Sequence, residues 1–319
     1  MAGDSIDVVF GGGPLGLAVV ETLAARGRVV RLATRSGRTN APDGVQVVAA
    51  DVSDASRAAE AALGARSIYH CAGADYGHWQ ELLPPMMAGV MHAAEVTGAR
   101  VVYGDNLYAY GPVDGPLTED LPCRATGKNG RLRATLANRL MDAHRAGVLR
   151  ATIGRASDFY GPRVRVSTVG ERVFGALLRG RPAEVLGNPD LPHTVTYVYD
   201  FAEALVTLGE RDEALGKVWH VPSAETLTLR QFAGLVAAGA GQPAHVRVIP
   251  GWIIRGLGLF NPTLRAVAEQ LYQSERPWVV DHSRFASTFG AHPTPHVKAI
   301  GTTLDWYRGA AISKSSARL

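Results

Sequence analysis

A Gly-rich segment near the N-terminus has the residue types that bind a pyrophosphate. Residues 11–16 read Gly-Gly-Gly-Pro-Leu-Gly, between an apolar run and an Ala- and Leu-rich stretch. Gly11 permits a tight bend, Gly13 lets the backbone approach a phosphate, and Gly16 lets a helix pack closely on a strand. The helix that starts at Pro14, which has no N–H, offers unpaired N–H groups from Leu15 onward and partial positive charge. The spacing predicts a dinucleotide site, with an ordinary loop as the alternative.

A second set of phosphate-binding side chains follows the next apolar run. Arg35, Ser36 and Arg38 lie where a dinucleotide-binding fold usually carries an acid that bonds the adenosine ribose. Two guanidinium groups and a hydroxyl are instead donors suited to a 2′-phosphate, which favours NADP(H) and leaves NAD(H) possible. The alternative is that these are solvated loop arginines, because loops are commonly charged.

Two further segments end predicted strands. Asp51 and Val52 follow the third strand, where they are placed to contact the adenine edge. Cys71, Ala72 and Gly73 follow the fourth strand, where small residues let the backbone pass close to a cofactor. Both segments therefore extend the predicted dinucleotide site along one edge of a sheet.

The elements that position these residues alternate in type. Short β-branched runs predict strands at Ile6 to Phe10, Val29 to Thr34, Val45 to Ala49, Ser67 to Cys71 and Arg100 to Tyr103. Stretches of helical period predict helices at Leu15 to Arg26, Ala55 to Leu63 and Leu82 to Thr97. This order predicts an α/β fold, a Rossmann-type doubly wound parallel sheet whose ligands lie outside the carboxyl ends of the strands.

Composition changes beyond about residue 161, where Pro, Gly and His become frequent. We expect residues 1–160 to form the dinucleotide-binding core, completed by parts of 190–225. Residues 161–310 are expected to form mainly a smaller C-terminal substrate lobe, and 311–319 a disordered tail. Helices are predicted in this lobe at Val169 to Leu178, Asp200 to Leu208, Leu229 to Ala237 and Asn261 to Gln273.

Bulk properties exclude several classes of protein. The 33 basic residues are spread along the chain, so the net charge of +4 does not indicate a nucleic-acid partner. The two cysteines, Cys71 and Cys123, cannot build a disulfide framework or a Cys-rich metal site, and no metal is expected. Because neither a signal peptide nor a spanning apolar run is found, we expect a cytoplasmic protein without a membrane partner.

Several motifs together resemble a known group of enzymes. The Gly-rich turn is joined by Cys71-Ala72-Gly73, by residues 106–112 (Asn-Leu-Tyr-Ala-Tyr-Gly-Pro), by 159–162 (Phe-Tyr-Gly-Pro) and by 196–200 (Thr-Tyr-Val-Tyr-Asp). Over nearly its whole length the chain resembles the short-chain dehydrogenase/reductase superfamily, as an atypical member of the extended, NAD-dependent epimerase/dehydratase-like branch. The resemblance implies a nicotinamide cofactor and a small-molecule substrate; a homodimer is also possible.

The resemblance also shows where this chain departs from the family pattern. The family's chemistry uses a Tyr and a Lys four residues later on one helix, with a Ser or Thr at the preceding strand end. Those positions fall on Asn129, Arg133 and Asn106. Arg133 can hold a ribose by charge and hydrogen bonds, but a guanidinium cannot relay a proton near neutral pH. Asn129 cannot be a general acid, so the proton donor must lie elsewhere.

Other titratable side chains near the strand ends are the candidates for that donor. We favour Tyr108, close to the vacant hydroxyl position, with Asp105 next; the further candidates are Tyr76, Tyr110 and Tyr160. The alternative for each tyrosine is that it packs in the core.

Substrate contacts are predicted at Tyr76, Tyr160 and His193. His193 stands where family members acting on nucleotide sugars typically carry an Arg for the diphosphate, so recognition of such substrates is in doubt. It could bond a hydroxyl or carbonyl of another substrate, although a lone His is more often structural.

Three functions remain open. The leading hypothesis is an atypical NADP(H)-dependent reductase of a carbonyl, imine or conjugated alkene in a small apolar metabolite, with Tyr108 or water supplying the proton. The second is a redox-neutral isomerase, epimerase or cyclase on the same scaffold. The third is a non-catalytic regulator that senses NADP(H).

Overall fold

The computed structural model describes the backbone of residues 6–316 and the side chains of residues 6–310. The chain forms two compact units. The first contains residues up to Gly111, then Glu119–Ala156 and Phe201–Val221; the second contains Pro112–Thr118, Ser157–Asp200 and the chain from Pro222 onward. Residues 311–319 were expected to form a tail. The backbone of 311–316 continues the last helix, and 317–319 lie outside the described residues.

The central sheet lies in the first unit. In chain order the strands of the described residues are β1 Ile6–Phe10, β2 Val30–Thr34, β3 Gln46–Ala49, β4 Ala65–His70, β5 Arg100–Asn106, β6 Arg150–Ala156, β7 Asp158–Tyr160, β8 Ala183–Leu186, β9 Pro192–His193, β10 Val195–Tyr197, β11 Val218–His220, β12 Leu227–Thr228 and β13 Val246–Ile249. Seven of them form one parallel sheet in the order β11-β6-β5-β4-β1-β2-β3. The predicted Rossmann-type doubly wound sheet is confirmed.

Helices alternate with these strands. They are α1 Pro14–Ala25, α2 Ala55–Ala61, α3 Trp79–Thr97, α4 Lys128–Arg145, α5 Phe174–Leu178, α6 Val198–Glu210, α7 Leu229–Ala240, α8 Gly251–Leu257, α9 Pro262–Ala268, α10 Tyr272–Glu275, α11 Ser283–Phe289 and α12 His296–Ser316. Short 3₁₀ turns cover Tyr76–His78, Tyr108–Tyr110 and Asp212–Ala214.

Two predicted helices were wrong in extent. The helix predicted from Val169 begins only at Phe174, because the Glu171 amide bonds the carbonyl of Arg165 and closes a turn there. The helix predicted from Asn261 to Gln273 is two helices, α9 and α10. Between them the amides of Gln270 and Leu271 bond carbonyls three residues back, which interrupts the α-helical ladder.

Both faces of the central sheet are covered. One face packs against α2, α3 and α4 through a large apolar cluster that includes Ile68, Met87 and Leu140. On the other face a Cβ built on Gly104 would lie 2.9 Å from Leu15 Cδ2, and one on Gly154 would lie 2.7 Å from Leu205 Cδ2. The two glycines therefore allow α1 and α6 to approach the sheet closely.

The strand order reverses between β1 and β4, at the centre of the sheet. Helical connections run to opposite faces from these two strands, which leaves a crevice at their carboxyl ends. The chain leaves β1 at Gly11 and β4 at Cys71. The predicted phosphate-binding turn thus lies at the position where folds of this class bind ligands.

The second unit is built around aromatic side chains. Tyr160 packs on Phe174 and Phe232, with ring centroids 5.9 and 4.9 Å away. The strand pairs β7–β10, β8–β13 and β9–β12 and the helices α5, α7 and α12 surround this core. Across the residues that the structure describes, no helix combines the length and apolarity needed to cross a membrane.

Candidate functional site

Gly11 forms the tight bend after β1. Its φ of +108° is a conformation that residues with a side chain rarely adopt. A Cβ at this position would also lie 2.6 Å from the backbone nitrogen of Ala72, at the end of β4. Gly11 therefore lets the two strand ends approach each other, as its position in the predicted fingerprint requires.

The start of α1 is open toward the crevice. Gly13 is its N-cap residue, no side chain caps it, and no acidic residue lies in its first turn. A Cβ built on Gly13 would meet no atom within 4 Å, and Pro14 occupies the first helical position. The first-turn N–H groups, which have no acceptor within the helix, and the positive end of the helix dipole make this an anion-binding geometry.

The remaining residues of the turn fix the helix against the sheet. A Cβ on Gly16 would lie 1.8 Å from the carbonyl oxygen of Gly11, so only glycine fits between helix and turn. Leu15 is buried, and its side chain packs against β5 at Gly104. Leu15 can therefore meet a phosphate only through its backbone N–H.

The segment after β4 borders the same crevice. The amide of Cys71 donates to the carbonyl of Phe10, which joins the two strand ends at 2.9 Å. Burial raises the pKa of the Cys71 thiol to about 12, so the thiol is protonated near neutral pH. Ala72 approaches Gly11, and Gly73 has open space where a Cβ would be. These residues shape a surface and supply no nucleophile.

The arginine loop follows β2. Arg35, Ser36 and Arg38 are exposed, and the Ser36 hydroxyl lies 3.2 Å from the carbonyl oxygen of Arg38. Gly37 has a φ of +63°, and a Cβ there would lie 2.9 Å from that of Ala49. Glycine thus closes a tight turn that carries both guanidinium groups next to the end of β3.

Asp51 lies beside this loop. Its Oδ1 accepts hydrogen bonds from the hydroxyl and the amide of Ser53, at 2.7 and 2.9 Å. These bonds lower the pKa of Asp51, and the positive charge of Arg35 acts in the same direction. Asp51 is therefore an ionised acceptor near the predicted adenine edge. Val52 is buried, and its carbonyl lies where a Cβ on Gly89 of α3 would clash.

The end of β5 presents the predicted proton donor. Asn106 Oδ1 accepts a hydrogen bond from the backbone N–H of Tyr108 at 3.1 Å. Asn106 therefore shapes the turn that carries Tyr108. The Tyr108 ring stacks on Trp79 with centroids 5.9 Å apart and meets the edge of Tyr76 at 6.2 Å. Tyr76 and Tyr108, each half-buried, lie together as predicted members of one site.

Arg133 of α4 is held from three sides. Its Nη1 donates to the Tyr103 hydroxyl at 2.6 Å and to Asp105 Oδ1 at 3.3 Å, and its guanidinium lies 4.2 Å from the Trp79 ring centroid. Burial opposes its charge, but Tyr103, Asp105 and Tyr108 raise the pKa of Arg133. Arg133 is thus a fixed, permanent cation where the family pattern has a lysine.

Asp105 does not suit the role of proton donor that we considered for it. The side chain is buried, with Oδ1 facing Arg133 and Oδ2 accepting from Arg155 Nε at 3.1 Å. Both carboxylate oxygens are therefore engaged by guanidinium groups. Arg155 is also buried, and sequence reasoning missed it because it lies within a strand with no motif around it. Asp105 is better described as the residue that positions Arg133.

Asn129 occupies the tyrosine position of the family pattern. It lies one turn before Arg133 on α4 and is 4 % exposed. Its Oδ1 accepts a hydrogen bond from Gln80 Nε2 at 3.2 Å, which ties α4 to α3. An amide at this position can donate or accept a hydrogen bond but cannot exchange a proton.

His70 is a further residue of the site that sequence reasoning missed. It ends β4, and its ring stacks on that of Tyr103 at 5.1 Å. Burial, with the nearby charge of Arg133, lowers the pKa of His70 to about 3, so the imidazole is neutral. Burial likewise raises the pKa of Tyr103 to about 12. Its place in the sequence could have identified it as a site residue, because His70 directly precedes the predicted cofactor segment Cys71-Ala72-Gly73.

Two other tyrosine candidates are core residues. Tyr160 is 1 % exposed, its hydroxyl lies 3.0 Å from His296 Nδ1, and burial raises its pKa well above the usual range. Tyr110 is equally buried, with its hydroxyl 2.8 Å from His220 Nε2. The predicted contact of Tyr160 with a substrate and the candidacy of both as proton donors are therefore not supported.

His193 is also a structural residue. It is 3 % exposed and belongs to the second unit. Its Nε2 lies 3.0 Å from Asp158 Oδ2 and its Nδ1 lies 3.2 Å from the carbonyl of Gln273. Because both ring nitrogens are occupied, the predicted substrate contact of His193 is not supported, and the structural alternative describes it.

The fold and the turn define a Rossmann-type dinucleotide-binding protein, and comparison with known proteins places it within that class. Residues 8–221 match the sequence profile of the NAD dependent epimerase/dehydratase family, which is more than half of the 319 residues. The chain belongs to this family, and the predicted resemblance is confirmed. No curated protein sequence matches the chain.

Solved structures share the fold over nearly the full length. An epimerase from the methanogen Methanothermobacter thermautotrophicus superposes with a TM-score of 0.81 at 17% identity, covering 98% of this chain and 95% of that one. The Thermus thermophilus UDP-glucose 4-epimerase in complex with NAD gives 0.77 at 20% identity, covering 96% and 99%. The Streptomyces venezuelae dTDP-glucose 4,6-dehydratase with NAD gives 0.78 at 19% identity, covering 95% and 97%.

Proposed function

We propose that the chain binds NADP(H), with the pyrophosphate at the open start of α1. The support is geometric: Gly11 and Gly16 leave no room for a side chain, whereas Gly13 faces open space at an uncapped helix start. Gly11 and Gly16 serve close packing, whereas the open space at Gly13 beside an uncapped helix start suits a bound anion. Three residues, Arg35, Ser36 and Arg38, would hold a 2′-phosphate, and Asp51 the adenine edge.

The proposed preference for NADP(H) rests on the charge of the loop after β2. Between Thr34 and Gln46 the only acid is Asp43, and the exposed Arg35 and Arg38 flank Ser36. A ribose diol would be better served by a carboxylate acceptor, and a phosphate by the guanidinium groups. NAD(H) is the alternative, since two of the three relatives named above were crystallised with NAD.

We further propose that the chemistry is reductive. Oxidation of an alcohol requires a base to take the hydroxyl proton, and reduction requires an acid to return it, so one group serves both directions. The positions that supply this group in the family pattern hold Asn129 and Arg133, and reduction therefore needs another proton donor. A bound reduced nicotinamide would supply hydride to a carbonyl, imine or conjugated alkene. The observation that carries this proposal is the half-buried Tyr108, a phenol able to donate a proton, which packs on the same Trp79 ring as Arg133.

Each residue around the proposed proton donor Tyr108 has a proposed role. Tyr108 would donate its phenolic proton to the substrate oxygen or nitrogen, with water as the alternative donor. Arg133 would stabilise the phenolate that results, because the two side chains already interact electrostatically. Asn106 would position Tyr108 through its backbone N–H. The half-buried ring of Tyr76 would offer an apolar surface to a small metabolite.

A redox-neutral reaction is the second candidate. It is favoured by the family match and by the epimerase and dehydratase activities of the structural relatives. Both reactions would use the same cofactor site, so a binding measurement cannot separate them.

The experiment that separates them follows absorbance and product together. Purified protein is incubated with NADPH and a panel of small apolar aldehydes, ketones, imines and enones. The reductase predicts loss of the reduced-nicotinamide absorbance in a one-to-one ratio with reduced product. Conversion of a substrate without net change in absorbance would support the redox-neutral reaction. Cofactor binding without turnover of any compound would support the non-catalytic regulator.

A further inference from the structure

One buried ring contacts three residues of the candidate site. Trp79, the first residue of α3, is 7% exposed. The guanidinium carbon of Arg133 lies 4.2 Å from its ring centroid, and the ring centroids of Tyr108 and Tyr76 lie 5.9 and 4.5 Å away. The proposed proton donor and the cation therefore pack on one indole, although they come from two different elements, the turn after β5 and the helix α4.

The indole of Trp79 is itself held in place. Its Nε1 donates a hydrogen bond to the carbonyl oxygen of Ala74 at 3.0 Å, within the segment that joins β4 to α3. Leu83 and Met86 of the same helix are buried in the same apolar cluster. Because a tryptophan has only two side-chain torsions, burial and this hydrogen bond restrict its orientation at little cost in entropy. Trp79 is therefore a rigid surface on which more flexible side chains can be ordered.

Arg133 needs such a surface, because its hydrogen bonds fix a point and not a plane. Both acceptors, the Tyr103 hydroxyl and Asp105 Oδ1, are reached from the same nitrogen, Nη1. Nε of Arg133 is buried and meets no hydrogen-bond partner among the described residues. With these contacts alone the guanidinium could pivot about Nη1. The face of the Trp79 ring restricts that rotation, since guanidinium groups stack on aromatic faces.

Tyr108 is restricted by the same ring. The hydrogen bond from its backbone N–H to Asn106 Oδ1 orients the turn and does not itself fix the side chain. The Tyr108 ring lies against the Trp79 ring with 26° between their planes, and Tyr76 meets it edge-on at 6.2 Å. A phenol can transfer its proton only if its oxygen is held within hydrogen-bond distance of the substrate. Packing against Trp79 thus contributes to the orientation that this transfer requires.

We propose that Trp79 is a positioning residue, which sets the orientation of Tyr108 and keeps the Arg133 cation beside it. This role rests on the proposed function, in which Tyr108 donates the proton. As the proton leaves, a nearby cation stabilises the phenolate, and this Coulomb interaction weakens as the two groups separate. Trp79 itself transfers no proton, since its indole N–H is only a hydrogen-bond donor and already bonds Ala74. Its loss should therefore lower kcat and leave substrate binding largely unchanged.

The test compares the kinetics of full-length variants with a compound that is reduced in the NADPH assay. Trp79→Leu should lower kcat about thirtyfold with little change in KM, because small displacements of a catalytic group cause losses of this size. Trp79→Phe keeps an aromatic face for both neighbours and should retain about a third of the wild-type kcat. The double variant Trp79→Leu with Tyr108→Phe should be no slower than Tyr108→Phe alone, because no donor is then left to position.

Trp219→Leu is the matched control. Trp219 is also buried, its Nε1 donates to the carbonyl of Ala214 at 3.0 Å, and Lys217 Nζ lies 5.5 Å from its ring centroid. It has the same kind of anchor and cation contact, but it belongs to β11 at the edge of the sheet. Trp219→Leu should therefore keep the wild-type kcat even where it loses thermal stability. Thermal unfolding checks each variant, and Trp79→Met, whose flexible side chain adapts to irregular gaps, serves if Trp79→Leu does not fold.

A crystal structure of Trp79→Leu tests the positioning role without a substrate. The Arg133 guanidinium and the Tyr108 ring should each move by about 1 Å or more, whereas the α4 backbone should stay in place. The positioning role is overturned if both side chains keep their places, or if Trp79→Leu keeps the wild-type kcat while Tyr108→Phe is slow. It is also overturned if the losses of the two single variants multiply in the double variant, as a merely structural Trp79 predicts. Wild-type activity of Tyr108→Phe would instead contradict the proposed role of Tyr108.

Discussion

Two regions of the first unit match the family pattern to different extents. They are the Gly-rich turn at the start of α1 and the cluster around Arg133 on α4. The turn keeps glycine wherever a Cβ would meet backbone, at Gly11 and Gly16. The α4 cluster keeps the strand end, the helix and the four-residue spacing, but its side chains differ at Asn129 and Arg133. Close backbone approach allows only glycine in the first region, whereas buried side-chain partners hold Asn129 and Arg133 in the second.

The substitution with the largest expected effect tests the Gly-rich turn. Gly13→Asp should abolish measurable NADPH binding, raising the dissociation constant about a thousandfold, because a carboxylate would face the pyrophosphate. Folding should survive, because Gly13 has an ordinary φ of −76° and open space at its Cβ position, and Asp is a favourable N-cap residue. Calorimetric titration with NADPH and thermal unfolding measure the two effects.

Gly13→Ala is the matched control for this substitution. It adds a side chain of similar position without charge, and should bind NADPH far more tightly than Gly13→Asp. Unaltered NADPH affinity in Gly13→Asp would refute the assignment of the turn.

The second prediction would sharpen the description of the α4 cluster. Tyr108→Phe should lower kcat about a hundredfold with little change in KM, because it removes the proposed proton donor and keeps the ring stacked on Trp79. Steady-state kinetics with any substrate found in the NADPH assay measures this effect. Tyr76→Phe, which removes the hydroxyl of the neighbouring ring, is the control. Equal activity of Tyr108→Phe and wild type would assign the proton to water.

The third prediction concerns the buried imidazole beside Arg133. The unfolded state binds a proton at His70 below pH 6.5, whereas the folded state does so only near pH 3. This contribution to stability is therefore fully present above pH 6.5 and is lost as the pH falls toward 3, by about 1.4 kcal/mol per pH unit. Urea unfolding of wild type and His70→Gln at neutral pH and at two lower values measures it. Equal loss of stability by both proteins as the pH falls would contradict the lowered pKa of His70.

The smallest expected effect tests the cofactor preference. Arg35→Ala and Arg38→Ala should each weaken NADPH about tenfold and NADH much less, because each removes a charged donor from the 2′-phosphate. Competitive titrations with both cofactors give the ratio. Arg57→Ala, at an exposed arginine of α2, is the control. Equal losses for NADPH and NADH would remove the preference.

The sequence was most informative where the fold imposes a backbone requirement. The alternation of strands and helices in the first 106 residues, and the glycines of the turn, could be predicted because periodicity and glycine positions report local geometry. The extent of α5 and the split between α9 and α10 could not, because turns closed by backbone hydrogen bonds leave no periodic signal.

Side-chain partners in the site were largely beyond sequence reasoning. Asp105 reads as a candidate acid until its two arginine partners are seen, and Arg155 lies 50 residues away from it in the chain. Tyr160 and His193 lie in promising motifs, yet both are buried and hydrogen-bonded within the second unit. Burial and long-range pairing decide the role of a titratable group, and neither can be read from local spacing.

The central claim is that the start of α1 binds the pyrophosphate of a pyridine dinucleotide. Titration of the purified protein with NADPH, NADP⁺, NADH and NAD⁺ in a calorimeter tests it most directly. We predict saturable binding of at least one of them, tightest for the phosphorylated pair and lost in Gly13→Asp. Absence of heat and of thermal stabilisation with all four cofactors at concentrations of about a millimolar would contradict it.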